Sequence, residues 1–326
     1  MGDHPAVRRW PLSIDVSAQL PFPGAHSMTG WLMGPVHLTI GFSPTLVYCI
    51  PGGGQTASAF DLEVPGLRHF SLAEHLAARG LFVAAFDHPG IGASTPVADL
   101  YQLDVGAVAS AHAEAVAVVG RMVRVGAFEP DLPALDDLRV VGLAHSMGAM
   151  VLDVMQARER SFDALVALGH GGGGLPEVLT PEELALEGFT GPTLAERVAD
   201  LARARFAADS TVPKRPPAHG RFFGEDVPAE VITAMGEHEA ELLYHCALQT
   251  LVPGSIAADM AAIDVPVFLG FGEHDLIPRP HSVVESYVSS ADVTLFVLAG
   301  AGHCQLQAGN RFVLWNRLER WIATVA

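Results

Sequence analysis

The chain reads as an α/β protein: a mostly parallel, doubly wound sheet interrupted by a helical insertion. Three observations predict this. Short apolar runs of strand length alternate with helix-length segments. Those runs are continuously apolar, which marks strands buried on both faces of a parallel sheet. One long stretch, residues 174–262, holds helix-like segments without a good buried strand and so breaks the rhythm.

Taken in order, residues 11–43 have the pattern of a hairpin or meander ahead of the first crossover. "TLVYCI" (45–50), "LFVAAF" (81–86) and "LRVVGLA" (138–144) follow as strands, rich in β-branched or aromatic residues. Between them lie helices near Leu72–Arg79 and over Val105–Val125, the second with Ala and Val spaced to form an apolar face. "ALVALG" (164–169), "VPVFLGF" (265–271) and "VTLFVLA" (293–299) are the later strands. A final helix near Phe312–Ala323 sets Trp315, Leu318 and Trp321 at helical spacing. Within the insertion, the prolines of "TVPKRPPAHG" (211–220) block helix continuation and divide it in two. The domain reading is a core of residues 1–173 and 263–326 with an inserted unit at 174–262.

At 326 residues, half apolar and 17% charged, the composition is that of a globular chain with a large core. A net charge of −17, without a basic patch, argues against nucleic acid as a partner. The most apolar long stretch, Leu103 to Phe128, carries Asp104, His112, Glu114, Arg121 and Arg124, so no membrane span is expected. The N-terminus has no apolar run after its basic residues, so no signal peptide is expected. Cys49, Cys246 and Cys304 are widely spaced and odd in number, which suits a reducing cytoplasm and forms no zinc pattern. No metal and no cofactor are expected. "GGGQTA" (52–57) imitates a dinucleotide loop, but the acidic residue expected about 20 positions on, at the end of the next strand, comes only with Asp87, 33 positions after Gly54, and a Walker lysine and an HExxH pair are absent.

The chemistry concentrates in "VVGLAHSMGAM" (140–150). A strand that turns at once into a helix leaves its corner side chain exposed above the sheet, next to free helix N–H groups. Here the corner is Ser146, and the crowding demands small neighbours, met by Ala144 and Gly148. By itself such a pentapeptide equally describes a helix N-cap. A serine hydroxyl needs a base, and the base an orienting acid. Asp275 follows the strand at 265–271, and His303 sits in "GAGHC" past the last strand, so both lie at the same sheet edge as Ser146. Glu273 and Asp264 compete for the acid role, but Asp264 precedes its strand. For the oxyanion, Met147 offers a helix N–H, and the "IPGGGQT" loop (50–56) offers Gly53, with Gly54 the alternative.

These residues, together with the "FDHPGIGAST" turn (86–95), make the chain resemble the α/β-hydrolase superfamily from about Val47 to the C-terminus, the insertion excepted. The order Ser146, Asp275, His303 is that of the fold. Two departures are Pro51, where many members have His, and Ala144 for the first elbow glycine. The resemblance implies an α/β-hydrolase fold, a helical cap at 174–262, and hydrolysis by a Ser-His-Asp triad without cofactor or metal. A serine rather than aspartate nucleophile disfavours epoxide hydrolase and haloalkane dehalogenase chemistry.

The resulting expectation is a carboxylesterase- or lactonase-like enzyme acting on an apolar, moderately sized ester, lactone or related acyl substrate. Thioester, amide or carbon–carbon cleavage by the same triad is the alternative, and so is a non-catalytic ligand-binding protein. Asp87 is read as a brace of its own turn, His145 as a residue that packs or hydrogen-bonds locally, and Gly171–Gly174 as a hinge, with pocket lining as the alternative. Phe189, Phe222, Phe223 and Tyr244 are candidates either for the acyl pocket or for the insertion's own core.

Overall fold

The computed structural model describes residues 7–36, 44–128, 132–207, 219–224 and 226–325. Most of the proline-rich break at 211–220, and residues 37–43 of the expected meander, lie outside them. The chain opens with a hairpin, β1 (Val7–Asp15) and β2 (Ser27–Pro35), paired antiparallel. β1 is the outer edge, which accommodates Pro11 inside a strand.

The core then alternates as expected: β3 (Thr45–Ile50), α1 (Leu72–Ala77), β4 (Phe82–Phe86), α2 (Val105–Arg124), β5 (Arg139–His145), α3 (Met147–Glu159) and β6 (Ala164–Leu168). After the insertion come β7 (Val267–Gly272), α10 (Pro280–Val283), β8 (Val293–Leu298) and α11 (Arg311–Val325). The eight strands form one sheet in the order β1-β2-β4-β3-β5-β6-β7-β8. Every pairing from β4 to β8 is parallel, and β2 alone runs against the other strands.

Every residue of β3 through β7 except Arg139 is buried, which explains runs without alternation. Alternate side chains serve opposite faces. Leu46, Tyr48 and Ile50 join the core under α2, α3 and α9 (Ala257–Ala262), while Val47 and Cys49 join the one under α1 and α11. On α11, Trp315, Leu318 and Ile322 are essentially inaccessible, each contributing about 1.5–3 kcal/mol of apolar burial. α2 begins where the Asp104 carboxylate accepts the Ala107 N–H at 2.8 Å, a cap that contributes roughly 1 kcal/mol.

Between β6 and β7 the described residues are helical and contain no strand. They form α4 (Pro181–Leu184), α5 (Gly191–Phe206), α6 (His219–Phe223), α7 (Ala229–Glu237), α8 (Tyr244–Gln249) and α9. α5 and α8 share a small apolar core of their own, with Leu194, Val198 and Leu248. The run Gly171–Gly174 is a packed seam. Gly254 donates to the Gly172 carbonyl at 2.8 Å, and a Cβ on Gly174 would lie 2.2 Å from the Leu251 carbonyl oxygen. The start of the insertion is therefore packed against its own later stretch, Leu251–Gly254.

Candidate active site

β5 ends at His145, and the chain reverses at Ser146, whose φ of 55° and ψ of −125° are rare for a residue with a side chain. Such strain costs on the order of 1–3 kcal/mol and persists only where the surroundings hold it. They do so here. The Ser146 N–H donates to the Leu168 carbonyl at 2.7 Å. A Cβ on Gly148 would come within 2.3 Å of the Pro51 carbonyl, so only glycine lets α3 start this close to β3.

The structure brings the three sequence-selected side chains together. Ser146 Oγ is 2.8 Å from His303 Nε2, and His303 Nδ1 is 2.7 Å from Asp275 Oδ1. Asp275 also accepts the N–H of Gly272 at 3.2 Å and of Ile277 at 3.3 Å. Burial pushes the Asp275 carboxyl up, but the charge and hydrogen bond of His303 and the Gly272 N–H outweigh it, so it is held below the usual carboxylate range. An ionised Asp275 can only accept, so Nδ1 of His303 carries the proton and Nε2 faces the serine hydroxyl as acceptor. Among the described residues no acceptor takes the N–H of Gly53 or of Met147, and Gly53 packs directly on the Met147 side chain. Gly54 sits at φ +73° with its carbonyl accepting from Ala240 at 3.0 Å.

The competing acids are engaged elsewhere. Glu273 accepts the Gly300 N–H at 2.8 Å, and Asp264 pairs with Arg160 at 3.1 Å. Asp87 braces its turn as expected, accepting from Ala57 and Ala93 at 2.8 Å each. His145 packs and hydrogen-bonds, but its main partner lies far beyond its own elbow. Its Nε2 donates across the sheet to the His303 carbonyl at 2.9 Å, and burial, then the neighbouring His303, pushes its pKa down to about 3, keeping it neutral.

A cavity of about 390 Å³ opens over Ser146 and His303, walled by core loops and by the insertion. Phe222 and Phe223 line it, whereas Phe189 and Tyr244 pack into the insertion's own core. Arg205 also reaches it, its guanidinium 2.6 Å from the Glu183 carboxylate with both side chains buried. Among the described residues no three His, Cys, Asp or Glu side chains converge as metal ligands, and no helix is long and apolar enough to cross a membrane.

Sequence reasoning passed over Gly169. It follows β6 at φ +63°, and a Cβ there would lie 2.9 Å from His303 Cε1 and 3.0 Å from Nδ1. The signal available was a glycine closing a strand at the catalytic edge, a position where a positive φ and a close approach coincide.

The sequence model of the alpha/beta hydrolase family matches residues 47–313. A search of curated proteins finds no significant match. Among solved structures, a thermophilic esterase from Thermogutta terrifontis, malate bound, superposes with a TM-score of 0.61 at 14% identity over 96% of this chain and 99% of that one. The monoacylglycerol lipase of Paleococcus ferrophilus gives 0.57 at 16% over 87% and 97%. The proline iminopeptidase of Mycobacterium smegmatis gives 0.56 at 15% over 96% and 98%. At these identities the likeness shows the fold alone.

Proposed function

Because the chain belongs to the alpha/beta hydrolase family, we propose that it is a serine hydrolase cleaving a carboxylic ester or lactone. The observation that carries this reading is the continuous hydrogen-bonded line from Ser146 Oγ through His303 to Asp275 at the floor of a cavity. In the proposed reaction Ser146 Oγ attacks the substrate carbonyl carbon while its proton passes to His303 Nε2. Asp275 orients and stabilises the imidazolium, and the N–H groups of Gly53 and Met147 hold the oxyanion. The imidazolium then protonates the departing alkoxide, leaving an acyl-Ser146. Water attacks this ester, its proton taken by Nε2, and Oγ leaves with that proton as the acid is released.

We assign residues 1–173 and 263–326 to the catalytic core and 174–262 to a cap that sets the pocket. The cavity volume lies in the small-molecule range, and its walls include Leu175, Val178, Phe222 and Ile232, which suit an apolar acyl group of moderate size. The three cysteines are buried and none is joined in a disulfide, which fits a reducing cytoplasm.

The test is intact mass after exposure to a fluorophosphonate probe, followed by a panel of esters, lactones, thioesters and amides. Wild type takes one adduct and Ser146→Ala takes none. Folded wild type that binds acyl ligands saturably without adduct or turnover is a binding protein, and the proposal fails.

A further inference from the structure

Asp275 and His303 sit on separate loops, after β7 and after β8, and their alignment depends on holding the two loops together. The core ties them by the N–H groups of His274 and Glu273, which donate to the Ala301 and Leu298 carbonyls at 2.9 Å each, and by the Gly300 N–H, which donates to the Glu273 carboxylate at 2.8 Å. The insertion adds a further tie through Arg221 on α6, and this one reaches Asp275 and His303 themselves. Its guanidinium donates to the Asp275 carbonyl at 3.1 Å and to the Leu276 carbonyl at 2.6 Å. Its own carbonyl accepts the His303 N–H at 2.7 Å, and the next carbonyl, Phe222, accepts from Cys304 at 2.7 Å. One residue of the insertion thus holds the main chain of both the acid and the base.

The contact is built from both sides. Gly302 has no positive φ, so its backbone asks for no glycine; the contact does. A Cβ there would lie 2.7 Å from the Arg221 carbonyl oxygen and 2.7 Å from the Gly224 nitrogen. Gly224, at φ +75°, has equally little room, with the Gly300 carbonyl 2.8 Å from where its Cβ would stand. The Phe222 ring meets the His303 imidazole edge to face at 5.7 Å. Backbone packed on backbone at this distance leaves no slack, so the position of α6 and the alignment of the two loops change together.

We propose that Arg221 is a positioning residue of the triad, through which the insertion takes part in aligning Asp275 with His303 as well as walling the cavity. This rests on the serine-hydrolase reading. It follows that a substrate pressing on Phe222 and Phe223 acts on the geometry of His303 through the same segment.

The test uses the full chain with Arg221→Met, which removes the donors, Arg221→Lys, which keeps a charge and a point donor, and Gly302→Ala, which disturbs the contact from the core side. Three readouts are taken at 25 °C: the second-order rate of fluorophosphonate labelling, amide exchange at 272–277 and 300–304, and the low-field proton signal of His303 Nδ1–H. R221M labels about 10- to 100-fold more slowly, both loops lose protection together, and the low-field signal is lost or broadened. R221K recovers part of each, and G302A reproduces the pattern with Arg221 intact. If R221M does not fold, R221K and G302A carry the comparison. Folded variants with wild-type labelling, exchange and low-field signal overturn the proposal. A wild type that is not labelled overturns the hydrolase reading instead. Exchange and the proton signal then decide the tie alone: lost at both loops it stands, unchanged it falls.

Discussion

Replacing Gly169 by alanine is the most direct way to ask whether His303 works where the structure puts it. The added methyl would stand 2.9 Å from His303 Cε1 and 3.0 Å from Nδ1, where ordinary contact begins near 3.4 Å, a deficit of about 0.5 Å. Gly169 cannot retreat easily, since its N–H is bonded to the Gly270 carbonyl at 2.8 Å. The imidazole is held at 2.7 Å by Asp275 and 2.8 Å by Ser146, so a shift stretches at least one of these bonds. A displacement of 0.5–1 Å predicts a fall of about 10- to 100-fold in turnover and in labelling rate. The left-handed φ adds about 1–2 kcal/mol of strain for a residue with a Cβ, lowering Tm by a few degrees. Both are read from an ester assay at 25 °C, well below the transition, beside calorimetry. If Gly169→Ala shows the Tm loss but keeps its labelling rate within about threefold of wild type, the imidazole tolerates the methyl and the geometric argument is wrong.

Two further predictions concern buried charge. Asp153 is fully buried, accepts the Tyr287 hydroxyl at 3.0 and 3.1 Å, and is pushed up to about 8 by burial, partly offset by that hydrogen bond. Its folded pKa lies above the unfolded 3.8, so its contribution is fully present below that value and is lost as pH rises toward 8. Asp153→Asn is therefore near neutral at pH 4 and stabilising by a few kcal/mol at pH 8; Tm-versus-pH curves that stay parallel for the two proteins refute this. Glu183→Ala leaves the Arg205 guanidinium without its carboxylate inside the insertion and costs about 3–5 kcal/mol by urea unfolding, whereas Glu183→Leu with Arg205→Met regains most of it. A single variant as stable as wild type sinks that account.

What the sequence makes legible follows from which interactions are local. Strand boundaries from β3 to β7 agree to within two residues, because burial on both faces writes itself as a continuous apolar run, and those of the half-buried edge strand β8 agree to within one. Ser146, Asp275 and His303 each follow such a run, and strand ends at one sheet edge converge, so position along the chain suffices to select them. The hairpin is recognisable as such, although its first strand begins at Val7, ahead of Pro11. Other features need pairings that no spacing reveals. His145 reaches the His303 carbonyl across 158 positions, and Arg221 finds the Asp275 carbonyl across 54. The pocket is unreadable for the same reason: Phe222 and Phe189 are alike in sequence, and only tertiary packing sends one to the cavity and the other inward.

The same distinction explains the histidines. Tyr48, His112 and His88 form a buried chain that ends on the Pro51 carbonyl, with links of 2.9, 2.8 and 3.0 Å. A carbonyl only accepts, so His88 Nε2 carries a proton, its Nδ1 accepts from His112 Nε2, and His112 Nδ1 accepts the Tyr48 hydroxyl. Every proton is assigned and every imidazole is neutral. Burial enforces this, pushing His88 down to about 4 against its bond to Pro51, and His112 well below the usual value. His170, on the cavity wall, is pushed down to about 4 by burial and by His303. The His88 and His112 rings supply hydrogen bonds without charge, and their chain ends on Pro51, the residue that opens the Gly52–Gly54 loop. Of these four histidines, His303 alone faces a carboxylate at hydrogen-bond distance. A site built this way sets the ring bonded to Asp275 among histidines held neutral, the setting that the general base of the proposed two-step reaction would use.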